Sequence, residues 1–106
     1  MSNNEEQQLD EKFYERADAH IALANGHINQ KLHPGMVSNS MLFATSRFNA
    51  WISASGFQNG EEMREKKKEL LDYFIGQYSS MLEENVDNYI ENYDLYMGIS
   101  KEQAQK

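Results

Sequence analysis

The C-terminal part of the chain carries one long helical pattern that a chain of this size cannot bury by itself. From Glu61 to about Met97 there is no proline, Gly76 is the single glycine, and apolar residues recur every three or four positions, which predicts an amphipathic helix. At about 1.5 Å per residue this helix would be about 57 Å long. A folded globule of the same chain length is only about 33 Å across. Part of the helix is therefore predicted to lie against a partner.

Two apolar stripes run along this predicted third helix. The first comprises Met63, Leu70, Phe74, Tyr78 and Met81. The second, here called the tyrosine stripe, comprises Leu82, Val86, Tyr89, Tyr93 and Tyr96 at spacings of four, three, four and three. Near Ser79 and Ser80 the second stripe is displaced by one residue from the spacing of the first. This displacement turns the apolar face by about 100° around the helix. Either the helix bends there, or its two halves face different partners, or it breaks and folds back as a short fourth helix.

The tyrosine stripe is the predicted self-association surface. An exposed apolar stripe on a water-soluble protein usually marks a binding surface, and small chains most often self-associate as twofold dimers. We therefore expect a homodimer, with an unidentified protein as a second kind of partner. Light scattering should report a dimer that becomes monomeric when the chain is truncated at Met81.

Two further helices are predicted upstream of the long one. In the first, apolar residues recur from Leu9 until Pro34 and Gly35 stop the helix. The second begins at Ser38 as N-cap and runs to about Ser55, with apolar residues on two faces. A helix that is apolar on two sides is typically buried between neighbours. The predicted fold class is all-α: an antiparallel three-helix arrangement with a central apolar second helix and a long, straight or bent third helix.

The third helix has a recognisable start signal. Asn59 and Glu62 are three residues apart, which resembles the capping box that opens many helices. A single helical domain is predicted over residues 9–98, between a disordered segment at residues 1–8 and a loose tail at residues 99–106.

Charge and composition limit the partners of this chain. The net charge is −7, and the dense basic cluster Arg64–Lys68 is interleaved with glutamates, which is typical of a solvated helix face. Because phosphate binding needs clustered Lys and Arg, we expect no binding to nucleic acid or to membranes. The chain contains no cysteine, signal-peptide pattern or membrane-length apolar run, so the predicted location is the cytoplasm.

One polar cluster is a candidate for chemistry. It lies on the first two predicted helices and comprises Arg16, His20, Arg47 and Asn49. Arg47 lies between two apolar faces, and a charge near a core needs a carboxylate partner. Asp18 and Glu15 are the nearest candidates, so one interpretation is an Arg–carboxylate pair that fixes the helix register. The other is a small-anion or small-ligand binding site, or the acid/base pocket of an enzyme.

The remaining patterns do not favour an enzyme. His20 and His27 are seven residues apart, which separates them by about 10.5 Å along a helix. They cannot easily share an ion at bond lengths of about 2.0–2.1 Å. The sequence lacks the glycine-rich phosphate loop and the Gly-x-Ser-x-Gly motif. No metal, cofactor or catalytic residue is predicted.

Two segments of the sequence carry a family resemblance. They are FYERADAHIALAN at residues 13–25 and SNSMLFATSRFNA at residues 38–50. With these segments the chain resembles a group of short bacterial proteins known as domain of unknown function 3144, over roughly Phe13 to Tyr96. The resemblance implies a bacterial, cytoplasmic, helical protein without an assigned reaction, and it implies no functional residue.

Overall fold

The computed structural model describes residues 11–98, so the segments predicted at residues 1–8 and 99–106 lie outside it. Within this range the regular elements are α-helices, which confirms the all-α class. In chain order they are α1 (Phe13–His27), α2 (Pro34–Ala54), α3 (Gly60–Glu65) and α4 (Lys67–Glu91). Residues 93–98 are helical as well.

The first helix, α1, ends earlier than the sequence pattern predicts. Its last residue is His27, and the Asn29 side chain organises the turn that follows. The Oδ1 atom of Asn29 accepts hydrogen bonds from the backbone N–H groups of Lys31 at 2.8 Å and Leu32 at 2.9 Å. Asparagine side chains often offer the backbone this alternative to helical hydrogen bonding. The prediction that the helix continues to Pro34 is therefore wrong.

Pro34 begins α2 instead of ending α1. Proline suits the first position of a helix because its φ angle is already helical and its missing N–H would have no partner there. The Nδ1 atom of His33 accepts a hydrogen bond from the N–H of Gly35 at 2.8 Å, so the histidine caps this end. The predicted N-cap at Ser38 is wrong, because Ser38 lies inside the helix. The observed end at Ala54 is one residue from the predicted one.

The chain divides into two compact units, Met1–Trp51 and Ile52–Lys106, which are described separately. In the described part of the first unit, Val37 alone is buried, and α1 does not lie along α2. The apolar faces of α2 are therefore open, with Phe43 65% and Trp51 67% exposed. The burial predicted for this helix is not observed. The antiparallel three-helix arrangement and the single domain over residues 9–98 stay predictions.

In the second unit, α3 begins at the predicted capping box. The Oδ1 atom of Asn59 accepts a hydrogen bond from the N–H of Glu62 at 2.9 Å. In return, the Oε1 atom of Glu62 accepts one from the N–H of Gln58 at 2.8 Å. The return bond reaches the residue before the N-cap, whereas the standard box returns to the N-cap itself. The predicted helix start is confirmed.

The helix α4 is continuous through Ser79 and Ser80. The alternative in which the helix breaks at these serines is wrong, because both residues keep helical backbone geometry. The long helical pattern is instead interrupted at Lys66, between α3 and α4, and at Asn92, after α4. With 25 residues, α4 is about 37 Å long.

Candidate interaction surface

The tyrosine stripe lies on an open face of α4 and of the helical residues 93–98. Leu82 is 46% exposed, Val86 47%, Tyr89 52% and Tyr93 54%, whereas Tyr96 is half-buried. At about 100° per residue, all five positions fall within an arc of about 80° around the helix. The three stripe residues within α4, Leu82, Val86 and Tyr89, therefore share one exposed apolar face.

Tyr96 is held by a pair of asparagines that the apolar pattern does not reveal. The Nδ2 atom of Asn88 donates to the hydroxyl of Tyr96 at 3.3 Å, and the Nδ2 atom of Asn92 donates to the Oδ1 of Asn88 at 2.8 Å. The ring of Tyr96 lies 4.8 Å from that of Tyr89, measured between ring centroids. The spacing of four between the asparagines is the sequence signal that points to this contact.

Helical hydrogen bonding continues across the interruption at Asn92. The N–H of Asn92 donates to the carbonyl oxygen of Asn88, and the N–H of Tyr96 donates to that of Asn92, both at 3.0 Å. These bonds span four residues, as in a regular α-helix, although the backbone of Asn92, at φ −115° and ψ 28°, departs from helical values. The hydrogen-bonded chain therefore continues from α4 into residues 93–98, which carry Tyr93 and Tyr96.

Charge is distributed unevenly along the α3–α4 segment. Between Glu69 and Ser100 the sequence has no lysine, arginine or histidine. The acidic residues of α4 and of residues 93–98 are Glu69, Asp72, Glu83, Glu84, Asp87, Glu91 and Asp94. Of the four basic residues at residues 64–68, three form exposed ion pairs: Arg64–Glu61 at 2.9 Å, Lys66–Glu69 at 3.5 Å and Lys68–Asp72 at 2.8 Å. Exposed pairs of this kind contribute at most about 1 kcal/mol each, which agrees with the predicted solvated face.

The polar cluster predicted on the first two helices is not assembled as one pocket. Arg16, His20 and Arg47 are exposed, and Asn49 is half-buried. Arg47 and Asn49 are about 160° apart around α2, so only one of them could face a small ligand next to α1. Among the described residues, Arg47 takes part in no ion pair. The Arg47–carboxylate pair is thus not observed among these residues, and the exposed guanidinium is free to be solvated by water. The ligand site stays a prediction.

Residues 11–98 carry neither a metal-binding cluster nor a membrane-spanning helix. They contain no group of three histidine, aspartate or glutamate side chains placed to hold a metal ion. None of their helices combines the length and the apolar character needed to cross a membrane.

The fold and this surface define a small all-α protein with an open aromatic face. The chain belongs to the family described as "Protein of unknown function (DUF3144)", which matches residues 13–90 and confirms the resemblance seen in the sequence. It is similar to protein NB7890A from Shewanella sp, whose structure was determined by NMR. The two are 41% identical, with a TM-score of 0.70, over 82% of this chain and 92% of that one. No curated protein matches the chain.

Proposed function

We propose that this protein is an interaction or scaffold module that self-associates through the tyrosine stripe. The observation that supports the proposal is the exposure of four stripe residues at 46–54% along one helical face. Large exposed apolar side chains in such a row are commonly buried when a protein binds its partner. A second copy presents the same row, so two copies can cover each other's stripe about a twofold axis.

The expected strength of this contact can be worked out from the exposed fractions. Full burial of a large apolar side chain contributes about 1.5–3 kcal/mol, so a half-exposed one has about 0.8–1.5 kcal/mol left to gain. Four such side chains from each copy would contribute about 6–12 kcal/mol. Association itself costs about 4–15 kcal/mol. The free energy gained by burying the stripe alone is therefore about equal to the cost of association. Self-association at tens of micromolar requires additional buried surface.

The test is the mass of the protein in solution, with a matched pair of tyrosine variants. Tyr89 and Tyr73 are similar: 52% and 58% exposed, each with one aromatic neighbour about 5 Å away. They differ in position, because Tyr73 lies about 160° from Tyr89 around α4. In sedimentation equilibrium at tens of micromolar, we expect a dimer for the wild-type protein and for Tyr73→Ala.

Tyr89→Ala should weaken the dimer by about 2 kcal/mol, about 1 from each copy, which is about 30-fold in Kd. Truncation at Met81 should give a monomer. A wild-type monomer at tens of micromolar, or equal effects of the two tyrosine variants, would contradict the proposal.

We also propose that the three longer helices pack antiparallel as one cytoplasmic domain. Each carries an apolar face that is open to solvent, with Ile21 of α1 51%, Phe48 of α2 59% and Met81 of α4 44% exposed. Packing these faces together would remove apolar surface from water, which is the main driving force for folding. One domain predicts a single unfolding transition in urea, with coincident midpoints by Trp51 fluorescence and by helical circular dichroism. Separate midpoints would contradict it.

A further inference from the structure

The exposed face of α4 extends toward its N-terminal end beyond the tyrosine stripe. Three more exposed apolar residues continue the same row: Leu71 at 50%, Ile75 at 63% and Tyr78 at 48%. The seven exposed residues of the row, here called the long seam, are Leu71, Ile75, Tyr78, Leu82, Val86, Tyr89 and Tyr93. On a regular helix all seven would fall within about 80°, over a length of about 33 Å. The long seam supplies the additional surface that the tyrosine stripe lacks.

The spacing along the long seam is the same when read from either end. From Leu71 to Tyr93 the steps are four, three, four, four, three and four residues, with Leu82 at the centre. A surface with this symmetry matches itself when a second copy runs in the opposite direction. We propose that the long seam binds a second copy of the chain antiparallel, with the Leu82 residues of both copies at the twofold axis. This inference rests on the proposed self-association.

In this arrangement every residue of the long seam meets another one. Leu71 lies level with Tyr93 of the second copy, Ile75 with Tyr89, and Tyr78 with Val86. Each aromatic ring thus lies level with an aliphatic side chain, so that both can bury apolar surface. Just before the seam, Lys68 lies level with Tyr96 of the second copy, so its ammonium group can approach the aromatic ring of that tyrosine. These correspondences follow from the spacing alone.

Charge favours the antiparallel orientation over the parallel one. About the Leu82 axis, no acidic residue of α4 lies level with an acidic residue of the second copy: Glu83 is level with Met81, Glu84 with Ser80, and Asp87 with Gln77. In a parallel, in-register pair, each of these carboxylates would lie level with its own copy. Like charges placed opposite each other disfavour a helix pair. The antiparallel orientation therefore avoids the direct carboxylate–carboxylate pairs of the parallel one.

Distances between spin labels test the orientation. Since the chain has no cysteine, single labels can be placed at Glu69→Cys and Ser80→Cys, both outside the long seam. In the antiparallel dimer the two Glu69 positions are about 39 Å apart along the helix axis, and the two Ser80 positions about 6 Å. We expect pulsed dipolar spectroscopy to give a much longer distance at Glu69 than at Ser80.

Any other result would contradict the antiparallel arrangement. Equal short distances at both sites mean a parallel pair, which leaves the proposed self-association standing. A distance at Ser80 as long as that at Glu69 means a different axis. No dipolar signal, together with a monomeric mass, refutes the self-association itself, so the two failures are distinguishable.

Two oppositely charged substitutions in the same chain test the orientation of the dimer without a spin label. Tyr89→Glu alone should weaken the dimer, because it places a carboxylate against Ile75 of the second copy. Adding Ile75→Lys to the same chain should restore at least tenfold in affinity, since each new ammonium then faces a new carboxylate. A parallel pair would bring like charges together, so a double variant no tighter than Tyr89→Glu would overturn the orientation.

A third comparison tests the position of the axis. Leu82→Glu brings two carboxylates together at the proposed centre, whereas Ile90→Glu adds the same charge on α4 outside the seam, at a residue that is 67% exposed. We expect Leu82→Glu to weaken the dimer on the order of 100-fold or more and Ile90→Glu to leave it dimeric. Equal effects would overturn the assignment of the surface.

Discussion

Replacing Asn59 by alanine tests how the second unit starts its helices. The substitution removes the Oδ1 atom that accepts the N–H of Glu62 at 2.9 Å and leaves the backbone of the cap unchanged. Loss of an N-cap side chain costs about 0.5–2 kcal/mol. Because Asn59 is exposed, water can solvate the freed N–H, and we expect a loss of about 1 kcal/mol in the free energy of unfolding. That corresponds to a midpoint lower by about 4–8 °C for a domain of this size.

Thermal unfolding followed by circular dichroism at 222 nm measures the effect, and two further variants serve as controls. Asn59→Asp keeps an oxygen acceptor at the N-cap, so its midpoint should stay close to that of the wild type. Asn59→Gly should lie within a few tenths of a kcal/mol of the wild type, because glycine is also favourable at this position. If Asn59→Ala and the wild type have the same unfolding midpoint, the hydrogen bond between Asn59 and Glu62 does not stabilise α3, and the reasoning is refuted.

Three other substitutions have expected outcomes that thermal unfolding can check. Gly76→Ala should stabilise the protein by up to about 1 kcal/mol, because apart from its chain neighbours and its own helix backbone the new methyl group meets no atom within 4 Å, and its helix position suits alanine; a lower midpoint would show that this face is covered. His33→Ala should lower stability by about 1 kcal/mol through loss of the bond from Gly35, whereas His33→Asn, which keeps an acceptor, should not. Arg47→Met should change stability by less than about 0.5 kcal/mol, and a stabilising shift by small anions that disappears in this variant would support the predicted ligand site.

Features set by neighbouring residues could be predicted from the sequence. The helical class follows from apolar spacing, and the start of α3 follows from Asn59 and Glu62, which lie three residues apart and contact each other directly. The end of α1 and the start of α2 were predicted at the wrong place, although they too are local. Pro34 can either end a helix or begin one, and the choice depends on side-chain bonds of Asn29 and His33 that compete with the helix.

Features that depend on distant parts of the chain could not be predicted in the same way. Periodicity shows which residues share a face of a helix, but it does not show what covers that face. This is why Phe43 and Trp51 were expected to be buried and are exposed. The same limit applies to the polar cluster, since the sequence placed Arg47 and Asn49 close together in number, while the helix places them on opposite sides.

The absence of lysine and arginine between Glu69 and Ser100 also has a consequence for how this surface can be reached chemically. Trypsin has no cleavage site there, so digestion releases nearly all of α4 and the whole tyrosine stripe as a single peptide. Acylation of lysine cannot modify this stretch either, and amine-reactive cross-linkers can attach only at its ends. Lysine-directed reagents therefore cannot modify the long seam. Carboxylate- or tyrosine-directed reagents can, and they would show whether a partner protects this surface from modification.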